Sequence, residues 1–217
     1  MEDAIEAANR GRRDNARIAL IGLLLGNAAT LGMAIAQGWS MGALLLPYWL
    51  QSVAIGAFNV RRILCLRRFS TKGLFHGGGR PVPRTRKAQV STARFFAFHF
   101  GGFHVFYLPF VLAAVPTADE WPWLTAGAIA LCLAQWREHR SDLADDAAGE
   151  QNLGVLMFAP YLRVLPMHMT AIFAIGADGP DAMLWFVLLK TLADVGAWWI
   201  DRSLLGKESD AGTHGPA

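Results

Sequence analysis

The sequence predicts an all-α polytopic membrane protein: a bundle of six transmembrane helices with the N and C termini both cytoplasmic. Three observations carry that prediction. The chain is 53% hydrophobic and only 17% charged, where soluble domains carry about 25% charged residues, and its mean hydropathy is +0.30. Its apolar residues fall in six blocks, each near the roughly 20 residues a helix needs to cross about 30 Å of hydrocarbon. Its lysines and arginines gather in alternate connections, as their retention on the cytoplasmic side requires.

Residues 1–17 read as a cytoplasmic N-terminal segment with Arg10, Arg12, Arg13 and Arg17. A single six-helix domain, 18–205, follows. Its first span, 18–37, carries Gly22 and Gly26 as a small-xxx-small step that invites close helix packing. A competing reading makes this block a secretory signal, because Ala34 and Ala36 form an A-x-A-like site, although the run exceeds the usual apolar core of about 7–15 residues. The second span covers 42–60. The connection after it holds ten basic residues between Arg61 and Arg94. The third span is 95–115 and the fourth, the shortest, is 121–136, followed by Arg137 and Arg140. The fifth, 153–177, is interrupted by Pro160, Arg163 and Pro166, so a five-helix count competes. The sixth is 182–200, then come Arg202, Lys207 and a disordered cytoplasmic tail, 206–217, with His214.

The other three connections, around Trp39, 117–120 and 178–181, contain no lysine or arginine. Aromatic rings agree with this orientation: Trp39, Tyr48, Trp49, Trp121, Trp123 and Trp185 lie toward the outer ends, and Trp136, Trp198 and Trp199 toward the inner ends. The pattern is that of a bacterial inner membrane.

Net charge is +3, but the basic residues are topology determinants, which argues against nucleic acid as a partner. The lipid bilayer is the expected partner, and homo-oligomerisation stays open. Cys65 and Cys132 have neither metal-ligand spacing nor a disulfide partner in view. In Phe69–Ala93, Gly77, Gly78 and Gly79 precede Arg80, Pro81 and Pro83. Such a loop could bind anionic lipids or phosphate through backbone N–H groups, or it could be a flexible linker containing His76. It is not a P-loop, because the strand-to-helix context is missing. Glu138, His139 and Asp142 could ligate a metal, but Asp145, Asp146 and Glu150 extend them into what reads as a solvated acidic stretch.

Ionisable side chains inside spans are costly, by about 2.5–3.5 kcal/mol each at a helix centre on insertion scales, and so mark functional sites. His99, His104, Arg163, His168, Lys190 and Asp194 are of this kind, with Gln51 and Asn59 as uncharged companions and Asn27 and Gln135 nearby. At a rise of about 1.5 Å per residue, Arg163 of the fifth span and Asp194 of the sixth reach the same depth. This predicts an Arg163–Asp194 ion pair, with Lys190 one turn above and toward His168. Neutral imidazole suits Zn, Cu or Fe, which makes His99, His104 and His168 candidate ligands of a transition metal. Met167 and Met169 could add thioethers or simply pack. Residues five apart on a helix differ by about 140°, so His99 and His104 converge only if Gly101 and Gly102 distort the turn. Mutual satisfaction of these polar groups is the purely structural alternative. Lys190 also invites comparison with a retinal Schiff base, against which six spans instead of seven weigh heavily.

Tyr48-Trp49-Leu50-Gln51-Ser52, Ile55-Gly56-Ala57-Phe58-Asn59, Phe95 to Gly101 with His99, Arg163 to Thr170, and Lys190-Thr191-Leu192-Ala193-Asp194 together resemble a bacterial integral-membrane family known only as a domain of unknown function. The resemblance runs from the second span to the sixth. It implies the membrane fold and draws attention to His99, His168, Lys190 and Asp194, and it implies no activity. Gln51 stands where an acidic residue is typical of that family, Tyr107 where a second histidine is, and Trp198 near another histidine position. These departures weaken a metal site.

Three function classes remain: a proton- or metal-linked transporter or channel, a membrane-embedded enzyme using Lys190 or His168 as an acid–base with or without a metal, and a structural assembly factor. An opening to the polar site favours the first, a closed cavity with converging ligands the second, and a dry, fully paired cluster the third.

Overall fold

The computed structural model describes residues 2–113, 118–173 and 180–211. Six helices lie among them: α1 (Glu2–Gln37), α2 (Met41–Cys65), α3 (Arg86–Ala113), α4 (Trp121–Ala148), α5 (Leu153–Phe173) and α6 (Pro180–Ala211). Two short strands, β1 (Phe69–Ser70) and β2 (Gln151–Asn152), complete them. Four segments are long and apolar enough to cross a membrane: Leu20–Gln37, Met41–Cys65, Arg86–Leu112 and Asp181–Trp199. α5 adds a shorter apolar run, Leu153–Leu165. Large apolar side chains cover the outside of the bundle, among them Phe98, Val105, Leu192 and Leu25. A surface of that kind fits hydrocarbon. Residues 114–117, 174–179 and 212–217, and the side chains of Arg10, Arg12, Arg13, Met167, Arg202 and Lys207, lie outside the described residues.

α2 is the central helix: 56% of its apolar segment is buried, against 22–33% for the other three. It packs against α3, α4 and α5, while α6 lies against α5 and α1. Local chemistry sets its ends. Gly38, at φ +63°, takes the left-handed conformation that closes α1, and the Ser40 hydroxyl caps α2 by accepting from Ala43 N. At the other end Gln89 of α3 donates to the Ile63 and Leu66 carbonyls, satisfying groups that a helix C-terminus leaves free. A Cβ on Gly56 would stand 2.6 Å from the Phe100 ring, so glycine sets the approach of α2 and α3.

Strands β1 and β2 pair in parallel and tie two connections together at what we call the arginine-rich end. The Gly-rich connection there is folded: Phe69, Leu74 and Val82 are buried, and Phe75 bridges Pro81. The flexible-linker alternative for this segment therefore fails, because its apolar residues find a core. Trp39 and Tyr48 are likewise core residues, 2% and 0% exposed, where interfacial rings were expected. Trp121, Trp123, Trp136, Trp185 and Trp199 do project outward. α5 continues through Pro160, and α4 runs unbroken to Ala148, well past the expected end of the fourth span.

Candidate functional site

The extension of α4 is what builds the site. Gln135, Glu138, His139, Asp142 and Asp146 recur at three- and four-residue steps, which puts them on one face of the helix, and that face turns inward. Glu138, His139 and Asp146 are buried, so the expectation of a solvated acidic stretch is corrected here. Three arginines from the neighbouring helices meet this face. Arg62 of α2, which the charge pattern treated as a topology signal, donates to Asp146 through Nε at 2.6 Å and Nη2 at 3.0 Å, and to Asp142 at 3.2 Å. Arg61 donates to His139 Nε2 at 3.1 Å. Guanidinium has no acceptor, so that ring nitrogen carries no proton and His139 is neutral. Burial, and then the charges of Arg61 and Arg62, hold its imidazole below the ordinary histidine pKa. The ring lies flat on Phe58, centroids 4.6 Å apart.

Deeper in the bundle, Arg163 of α5 makes a two-pronged pair with Glu138, one contact at 2.9 Å, and Gln135 donates to the same carboxylate at 3.1 Å. The expected Arg163–Asp194 pair is not formed. Asp194 accepts instead from Lys190, four residues earlier on α6, at 2.7 and 2.6 Å. Depth alone placed Arg163 and Asp194 at one level, but each group takes a nearer partner. Lys190 is fully buried, with its ammonium 5.6 Å from the Tyr48 ring centroid. Asn27 of α1 donates to Asp194 and to the Thr191 hydroxyl.

Two small cavities adjoin this column. One of about 40 Å³ is lined by Asn59, Arg62, Gln135, His139, Asp142 and Arg163 among others. It has room for a few waters at about 10–15 Å³ each. A second, of about 10 Å³, lies among Gln51, Gln135 and Glu138, the size of one water. The buried Gln51 carbonyl oxygen has no protein partner among the described residues, and a water there would serve it. The Asn59 amide donates to Leu156 O at 2.9 Å, joining α2 to α5. Beyond Lys190, away from the arginine-rich end, the bundle closes on an apolar cluster with Leu44, Tyr48, Leu124 and Phe186.

The histidines divide. His104 is buried, and its Nδ1 donates to the Phe100 carbonyl at 2.8 Å, which leaves Nε2 as a bare acceptor. His168 stands beside it at 5.8 Å between centroids and stacks on Tyr107. It faces α3, so the expected approach of Lys190 toward His168 is absent from its contacts. His99 is exposed and bonds Tyr161 OH at 2.8 Å, because α3 stays regular through Gly101 and Gly102 and keeps His99 and His104 on different faces. The three-histidine metal centre is therefore not assembled, and among the described residues no group of three or more His, Cys, Asp or Glu side chains is arranged to hold a metal. Met169 is exposed.

Glu138, His139, Asp142 and Asp146 belong to the site, although the sequence suggests a solvated acidic stretch there. Their three- and four-residue spacing, continuing from Gln135, was the available signal. A family model described as "Family of unknown function (DUF6498)" matches residues 9–211. No curated protein and no solved structure matches the chain.

Proposed function

This chain belongs to the family of unknown function DUF6498, and from that premise we propose that it is a six-span protein of the bacterial inner membrane, termini inside, whose buried ion pairs take up and pass protons from the cytoplasmic side. One observation carries the reading: the ion pairs follow one another from the arginine-rich end into the core. Arg62 with Asp142 and Asp146 comes first, then Arg163 with Glu138, then Lys190 with Asp194. Burying charge is expensive, and a pair repays little of that cost compared with apolar residues of the same size. A succession of such pairs beside water-sized cavities is therefore hard to explain by stability alone. In a low-dielectric interior, protonating Glu138 or Asp194 frees its cationic partner and shifts the next pair. The apolar cluster beyond Lys190 makes this a conformation closed to the outside.

α4 and α5 supply the fifth and sixth crossings in this reading. Their apolar portions are short because each gives part of its length to the polar column. The outer connections, free of lysine and arginine, and the basic inner connections support the orientation.

The test is proton movement into proteoliposomes containing a pH-sensitive dye, driven by a potassium diffusion potential. Flux above protein-free vesicles, lost in Glu138→Gln and Asp194→Asn, is expected. Flux no greater than that of empty vesicles, from folded protein, overturns the transport reading. It would favour the structural one, for which the mutual 2.6–2.7 Å pairing of Lys190 and Asp194 is the specific support.

A further inference from the structure

Between α1 and α4 lies a cavity of about 1090 Å³. Its upper walls are made of small and aliphatic residues: Gly22 and Leu25 on α1, Ala130 and Leu133 on α4. Gly22 was expected to draw a neighbouring helix close, yet a Cβ there would meet nothing within 4 Å, whereas one on Gly26 would touch Leu131. The helices meet at Gly26 and diverge below it. At the wider end stand Arg137 and Arg140, three residues apart on one face of α4, both exposed. Neither guanidinium has an ion-pair partner among the described residues, unlike Arg62 and Arg163 of the polar column. Asp145, the acidic group of that wall, lies further along α4.

We propose that this crevice is a binding site for an anionic phospholipid of the inner leaflet, with its phosphate held by Arg137 and Arg140 and an acyl chain against Gly22, Leu25, Ala130 and Leu133. Depth and chemistry agree. Arg137 is sixteen residues from Trp121, about 24 Å along the helix, and Trp136 beside it projects outward as interfacial rings do. Paired guanidiniums suit a phosphodiester because their N–H groups match its oxygens, and the apolar walls above continue into hydrocarbon. A second copy's helix could fill the apolar part but would leave both charges unanswered. The inference shares with the functional proposal only the crossing of α4, and it stands or falls independently of proton movement.

The experiment is native mass spectrometry of the detergent-purified chain with added phosphatidylglycerol, phosphatidylcholine or inorganic phosphate, for the parent protein, Arg137→Gln/Arg140→Gln, and Gly22→Leu. Phosphatidylglycerol should be retained roughly tenfold or more over phosphatidylcholine, in keeping with two basic groups at an anionic headgroup. That preference should vanish in the double arginine variant, and Gly22→Leu, whose Cβ would meet nothing within 4 Å and whose side chain would project into the crevice, should cut retention with both arginines intact. Equal retention of the two lipids, retention unchanged in both variants, competition by inorganic phosphate at lipid concentrations, or a dimer that excludes lipid would each overturn the proposal. Melting temperatures close to that of the parent confirm that the variants are folded.

Discussion

Removing one member of a buried ion pair leaves a bare charge in a poorly polarisable interior, at a cost of about 3–5 kcal/mol, while removing both is often close to neutral. Glu138→Met and Arg163→Met should therefore each lower the melting temperature sharply, and the double variant should recover most of the loss. The same cycle with Asp194 in place of Glu138 should show weaker coupling, because Asp194 is held by Lys190. Equal coupling to both carboxylates in thermal melts would contradict the pairing. His139 gives a pH dependence of known sign. Its folded-state pKa lies below the ordinary value, so the stability present above about pH 6.5, the unfolded value, is lost as the pH falls toward the folded pKa. Melting curves of His139→Gln should lack this loss. That Lys190, Asp194 and Arg163 are charges inside apolar runs was legible from the sequence, and all three are buried. Their partners were not legible, because depth along a helix says nothing about rotation around it, and a carboxylate one turn away on the same helix wins over one across the bundle.

At the scale of the element, α2 and α4 carry the site, and they show where periodicity was informative. α2 reads as a span from its composition, and its centrality follows from Gly56, which lets Phe100 lie against the backbone. Gly56→Ala should overpack this contact and cost about 1–3 kcal/mol. Gly26→Ala, whose methyl would meet Leu131 at 3.6 Å, should change stability little, so comparable losses in the two would contradict the assigned approach of α2 and α3. The fourth span is read as ending at 136 because Arg137 and Arg140 within the polar half of α4 look like a span boundary. Its charges in fact continue one helical face, and Arg61, Arg62 and Arg163 answer them from other helices. A polar stripe is recognisable as buried only when its complement is known, and that complement lies far away in sequence.

For the whole molecule, the membrane class and the number of helices were readable because bilayer thickness imposes a length and insertion imposes a charge bias. The folding of the Gly-rich connection was not, since β1 and β2 pair across eighty residues. Six spans predict that reporters fused near Thr117 and near Gly179 face outward and those fused near Gly78 and at the C-terminus face inward. A reporter at Gly78 found outside would contradict that arrangement. The central claim is that carboxylates of the column take up protons in the folded protein. Infrared difference spectroscopy of the reconstituted chain across an acid pH step reads this directly. The account predicts the carbonyl band of a buried protonated carboxyl, diminished in Glu138→Gln or Asp194→Asn, while the helical amide bands stay unchanged. If no such band appears until the helices unfold, the pairs are fixed struts and the proton-handling account is wrong.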